Sequence, residues 1–241
     1  MQEKAKQLYL SDTYLFESTA RITEQGKDEK GRSYIVLDQT IFHPQGGEQI
    51  CDQGIISGDL FMATIVDVKK TPTGEIFHYC ELDIPESLSG VEVSCVIDKE
   101  RRMLASKYHT AGHLVSGVVE EIAPSLKATK CHAFPGEAYV EFPQASPVPE
   151  VSTLQNRLSE IQKSGAETKI FDISAEDFEK RFYKLPYDIP GRQTLRALQI
   201  GEYPPVPCGG THIKNVSEIE NIIVKVNSRK GSIKVSYSLY S

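Results

Sequence analysis

The chain has 241 residues, with 27 Lys+Arg against 33 Asp+Glu and a formal net charge of −6. Its 39% hydrophobic and 25% charged content fits a globular chain of one or two domains and excludes a disordered polymer. No apolar run approaches the ~20 residues needed to span a bilayer. The start, MQEKAKQLYLSD, lacks the apolar stretch of a secretory signal, and the mild acidity excludes a basic coat for wrapping nucleic acid while leaving room for a local basic surface.

The first ninety residues read as β-rich. Tyr14 to Thr23 and Ser33 to Asp38 are strand-like, with the polar turn Gln25 to Gly31 between them. Leu60 to Val68 is a further apolar run, and Thr71-Pro72-Thr73-Gly74 is a turn that hands it to a partner over Glu75 to Leu82. Short strands and glycine turns without a long helical period predict a small barrel over residues 1–90. Val91 to Ile97 is one more strand. From Asp98 to Ile122 the apolar residues fall at helical spacing, with Asp98 as N-cap and Pro124 as stop. Gln144 to Pro149 reads as a loop and Val151 to Lys163 as a second helix ended by Ser164-Gly165. Lys169 to Ile173 and Leu195 to Ile200 are strands flanking a short helix, Ala175 to Phe182. Ile222 to Val226 and Ile233 to Tyr237 form a last hairpin around Arg229-Lys230-Gly231. The fold class is therefore α+β, with a second domain over residues 91–241.

The five cysteines, Cys51, Cys80, Cys95, Cys131 and Cys208, are odd in number and widely spaced, without a CxxC. That excludes a secreted disulfide framework and points to a reducing cytoplasm.

The chemistry concentrates in two short motifs. His109-Thr110-Ala111-Gly112-His113 puts two imidazoles four apart on one helix face, about 5–6 Å apart at Cβ. On its own such a pair is as readily a solvated or core pair. Pro207-Cys208-Gly209-Gly210-Thr211-His212 places a thiol and an imidazole four apart in a glycine-rich turn whose glycines let the backbone fold back. Together His109, His113, Cys208 and His212 make a nitrogen-and-sulfur set that fits Zn²⁺. The helix reads HTAGH and not HExxH, so the glutamate base of the zinc peptidases is missing. Whether such a zinc is structural or catalytic stays open at this point. Thr110 either contacts a substrate or bonds a helical carbonyl. Lys130 and His132 precede a strand at Tyr139 and read as loop residues that could approach the site.

HTAGHL together with PCGGTHIKN resembles the editing domain of alanyl-tRNA synthetase and its free-standing relatives, the AlaX proteins. The likeness continues through Ile97 to Met103 and through Lys225 to Tyr237. Phe42-His43-Pro44-Gln45-Gly46-Gly47-Glu48-Gln49 to Gly54 is similar to the glycine-rich segment of the longer AlaX type, which reads roughly FYPQGGGQPSDTG and lies in a barrel domain facing the editing pocket. Here Glu48 stands where that family has a third glycine. The resemblance implies zinc on the four ligands, substrate contacts from Gly46, Gly47, Gln49 and Thr110, and hydrolysis of tRNA(Ala) mischarged with serine or glycine. It implies neither a membrane nor a nucleotide cofactor. Alternative readings are a threonyl-type editing domain, against which CGGTH speaks because that type usually has Pro where Thr211 stands, and a non-catalytic zinc-pinned module that binds tRNA or protein. Residues 208–241 hold five Lys and Arg against two Glu, a basic edge on an acidic chain that suits either an RNA-facing surface or the protection of an edge strand.

Overall fold

In a computed structural model of the chain, residues 4–59, 61–144, 149–185, 194–229 and 231–240 are described. The observed class is the expected α+β. Strands β1 (Glu17–Lys27), β2 (Ser33–Leu37), β3 (Gly54–Gly58), β4 (Phe61–Lys70), β5 (Ile76–Cys80) and β6 (Glu92–Ile97) close a barrel in the order β1-β2-β5-β4-β3-β6. Closure abolishes the sheet edges. Alternation does the rest: in β6, Val93, Cys95 and Ile97 point inward and Glu92, Ser94 and Val96 outward. Ile22, Ile35, Ile56, Ile65, Val68 and Ile76 join them in one apolar core.

Three features depart from the expectations. The first turn starts at Asp28 and not at Gln25, because Gln25, Gly26 and Lys27 still pair with Ile35, Tyr34 and Ser33, and the Asp28 carboxylate collects the Lys30 and Arg32 N–H groups at 2.9 Å. Strand β3 lies in a stretch too rich in glycine to read as a strand. Gly54 is required there, since a Cβ would come within 2.1 Å of the Val96 carbonyl oxygen on β6. The chain divides into compact units at Ser106/Lys107, later than the boundary expected near residue 90, because β6 pairs with both β1 and β3 and completes the barrel.

Helix α1 (Lys99–Ile122) begins where Asp98 accepts the Arg101 N–H at 3.0 Å, the expected cap. Its later turns belong to the second unit. There β7 (Lys130–His132), β8 (Tyr139–Pro143), α2 (Val151–Ser164), β9 (Thr168–Ser174), α3 (Ala175–Arg181), β10 (Thr194–Ile200), β11 (Val206–Pro207), β12 (Asn221–Arg229) and β13 (Ser232–Tyr240) follow. One antiparallel sheet runs β12-β13-β8-β7 and another β9-β10-β11. The inner face of the first sheet, with Val140, Phe142, Ile222, Val224, Ile233 and Val235, is buried. Leu114, Val115, Val118 and Val119 bury the apolar stripe of α1, worth ~1.5–3 kcal/mol for each side chain. On α2, Gln155 bonds the backbone of the edge strand β12 twice, to Ile222 O at 2.6 Å and from Val224 N at 3.2 Å. That side chain caps an edge that would otherwise recruit another strand. Gly165 ends α2 at φ 66°, as expected. Of the expected loop Gln144 to Pro149 and the expected turn Arg229-Lys230-Gly231, residues 145–148 and 230 lie outside the described set. None of the five cysteines is in a disulfide. Among the described residues no helix is long and apolar enough to cross a membrane.

Candidate metal centre

The second unit brings the two motifs together. Helix α1 carries His109 and His113 one turn apart, with ring centroids 5.0 Å apart. Between them Gly112 lets the helix settle on β13, where a Cβ would come within 2.7 Å of the Tyr237 hydroxyl and 3.2 Å of Cys131 Sγ. That hydroxyl donates to the Tyr108 carbonyl at 3.0 Å, which fixes the helix against the sheet.

Cys208 and His212 arrive from the segment after β11. Pairing of β11 with β10 aims the chain. Arg196 then holds Cys208 at both ends of its peptide, accepting its N–H on the backbone carbonyl at 3.0 Å and donating from Nη1 to its carbonyl at 2.7 Å. Beyond the turn, Thr168 N donates to Lys214 O at 2.9 Å and Val216 N to Ala166 O at 3.0 Å. Asn215 and Glu218 form a reciprocal capping box. The turn folds back as expected and brings Cys208 and His212 together, without Gly209 or Gly210 standing among the positive-φ glycines. A Cβ on Gly209 would meet nothing within 4 Å, so open space lies beside Cys208.

The donor atoms of His109, His113, Cys208 and His212 all lie within 4.8 Å of one another. Cys208 Sγ is 3.2 Å from His212 Nε2 and 3.6 Å from His109 Nε2. A tetrahedral ion with bonds of 2.0 and 2.3 Å sets such a pair about 3.5 Å apart. His113 Nε2 is buried and has no hydrogen-bond partner among the described residues. Burial pushes the pKa of His113 down to about 4, so its ring is neutral with a lone pair to give. Nearby, the His212 ring lies 4.5 Å from that of His109. Three clustered imidazoles and a thiol suit a cation better than protons, and the residues fit a metal ion of the nitrogen-and-sulfur class.

Thr110, expected to contact a substrate or bond a helical carbonyl, reaches the second motif. Its hydroxyl is fully buried, 3.2 Å from His212 Nδ1, and accepts the Ile213 N–H at 3.3 Å. With Nε2 as ligand atom, Nδ1 carries the proton and donates it to Thr110, which orients the ring. Lys130 and His132 are strand residues of β7 and not loop residues.

The glycine-rich segment belongs to the barrel unit. Gly46 and Gln49 exchange backbone hydrogen bonds at 3.1 and 3.2 Å across a two-residue turn. The central residues Gly47 and Glu48 sit at φ 55° and 70°, the pattern of a type I′ hairpin. Gly46, Gly47 and Glu48 are exposed and Gln49 is buried beneath them. Under this turn lies a pair that sequence reasoning missed. Arg102, wholly buried, donates from Nε to both Asp52 oxygens at 3.0 and 3.1 Å, from Nη1 to Thr13 O at 3.0 Å, and from Nη2 to Asp52 and Ile41 O. Asp52 also accepts the His43 N–H at 2.5 Å. The available signal was a run of charge, Asp98 to Arg102, at the start of an amphipathic helix.

The family model for class II tRNA synthetases (A) matches residues 6–101. The alanyl-tRNA editing protein AlaX-L of Pyrococcus horikoshii is 31% identical over 232 residues, which is 92% of this chain and 54% of that protein. The chain is similar to a protein of the AlaX type. Alanine–tRNA ligases are also similar to this chain: that of Mycoplasma mycoides is 26% identical over 207 residues (83% of this chain, 22% of the ligase), and that of Caldivirga maquilingensis 29% over 251 residues (97% and 26%). The chain thus spans about half the length of AlaX-L and about a quarter of the ligases.

Proposed function

We propose that this chain is a trans-editing ester hydrolase that removes serine or glycine from mischarged tRNA(Ala), with Zn²⁺ held by His109, His113, Cys208 and His212. The observation that carries the reading is the convergence of four nitrogen and sulfur donors, one of them His113 Nε2, which has no hydrogen-bond partner among the described residues, in a chain similar to a protein named for alanyl-tRNA editing. A cytoplasmic location goes with it.

An aminoacyl ester is already activated, so placement and charge stabilisation suffice. When bound, zinc supplies a fixed positive charge beside which an ester carbonyl is polarised or the terminal ribose is held. The protein's own groups hold that arrangement. Thr110 orients His212 through Nδ1, Arg196 fixes the Cys208 peptide, and the space beside Gly209 gives an incoming ester room next to the thiolate. Once the four donors ligate, none serves as a general base. Serine differs from alanine by a hydroxyl, and a pocket that pairs that hydroxyl leaves its polar groups unpaired when alanine enters. Gly46, Gly47 and Gln49 of the glycine-rich segment are the residues we assign to recognition of that amino acid.

The test is a deacylation panel of Ser-, Gly-, Ala- and Thr-charged tRNA, with and without chelator. Cleavage of Ser- or Gly-tRNA(Ala), sparing of Ala-tRNA(Ala) and loss of activity with chelator are expected. Equal cleavage of Ala-tRNA(Ala) overturns the assignment, and cleavage confined to seryl-tRNA(Thr) moves it to the threonyl type. Zinc binding without hydrolysis leaves a binding module.

A further inference from the structure

The outer face of the sheet β12-β13-β8-β7 carries an open groove of about 810 Å³. Register builds it. His132, Tyr139, Ser236 and Lys225 lie side by side across four strands, and Lys130, Glu141 and Lys234 form the next row on the same face. Four strands span about 14 Å at the usual spacing. Lys130, Lys225 and Lys234 line the groove against one acidic lining residue, Glu137, in a chain whose net charge is −6. The ammonium groups gather around a ring: Lys234 Nζ is 3.6 Å and Lys130 Nζ 5.9 Å from the centroid of Tyr139. His132 lies 5.7 Å from Tyr139 and 4.3 Å from Phe134.

Lysines make poor bidentate clamps for a single carboxylate and good point charges along a polyanion. Rings set among them offer a face to a base or an edge to a ribose, which an acidic peptide does not use. We infer that this groove docks the phosphate backbone of an RNA, and, resting on the editing reading, that the RNA is the tRNA whose aminoacylated end reaches the metal centre. The groove gathers Lys130 from β7 with Lys225 and Lys234 from the last hairpin, residues nearly a hundred positions apart in sequence. It recognises backbone and not base sequence, because among the described residues no Arg, Asn or Gln lines it.

The experiment measures binding of uncharged tRNA to the full chain across a salt series. In a K130Q/K225Q/K234Q variant, Kd is expected to rise roughly tenfold or more near 0.1 M salt, and the slope of log K against log salt to fall by about two to three. K163Q, an exposed lysine of α2 outside the groove, is the control and keeps the wild-type Kd. E141Q removes a countercharge between Lys130 and Lys234 and tightens binding. An unchanged Kd and slope in the triple variant, an equal loss in K163Q, or displacement of tRNA by polyglutamate at equal charge concentration overturns the inference. Its failure is separable from that of the editing reading. Salt-dependent binding lost in the triple variant without any deacylation keeps the groove and removes the enzyme. Deacylation with an unchanged KM in the triple variant keeps the enzyme and removes the groove.

Discussion

Each unit buries a polar centre, and the two are finished differently. In the barrel unit, the Arg102 guanidinium is matched by the Asp52 carboxylate and two carbonyls, so charge and hydrogen bonds close within the protein. In the second unit, His109, His113, His212 and Cys208 crowd together, yet His113 Nε2 has no partner among the described residues. A buried pair that saturates itself is a structural device. A cluster of imidazoles and a thiol with one buried ring nitrogen unpartnered among the described residues fits a cation instead.

The comparison is broken most sharply at Cys208. Cys208→Ala should abolish metal retention, read by elemental analysis, and deacylation with it, while the barrel unfolds as before. Next comes Arg102→Gln, which strands the Asp52 carboxylate and should cost about 3–5 kcal/mol in urea unfolding of the barrel while leaving zinc stoichiometry intact. His78 gives a pH test of the same unit. It is buried, donates from Nδ1 to Ile35 O at 3.0 Å, accepts the Thr40 hydroxyl at 2.8 Å, and has its pKa pushed down to about 4 by desolvation. Above pH 6.5 the ring is neutral in both folded and unfolded chains. As pH falls from 6.5 to about 4 the unfolded chain takes the proton first, so stability should drop by about 3 kcal/mol over that window, and His78→Asn should remove the slope. A smaller effect belongs to Thr110→Val, which takes away the acceptor for His212 Nδ1–H and should weaken zinc affinity about 10–100-fold by competition with a chelating dye. Smallest is Glu48→Gly: with φ at 70°, the substitution should stabilise the barrel by about 1 kcal/mol.

The ligand set was legible because metal chemistry restricts both residue type and spacing, and HTAGH and PCGGTH meet both conditions in eleven residues of a strongly periodic helix and a turn. Helix α1 itself was legible from Asp98 onward, since its cap and stripe agree. What positions the ligands was not. Arg196 acts through main-chain contacts to Cys208, and a lone arginine in a strand gives no sign of that. The Arg102–Asp52 pair joins residues fifty positions apart, and burial of charge runs against the pattern by which sequence is read. Strand β3 was hidden by Gly54 and Gly58, whose presence reflects the close approach of β6 at Gly54 and not a loop. Thr110 sat next to a ligand and invited a direct role, whereas its distance to His212 Nδ1 gives it a supporting one.

Gly112 carries a lesson about inheritance. The room that a methyl group there would need is taken by the Tyr237 hydroxyl, on a strand reached only at the far end of the chain. Losing that oxygen, as in Tyr237→Phe, would leave ring carbon Cζ at 3.5 Å and Cys131 Sγ at 3.2 Å, a gap tight but passable for alanine. Positions 112 and 237 are therefore expected to drift as a couple among descendants of this sequence, with the smaller residue at one licensing the larger at the other.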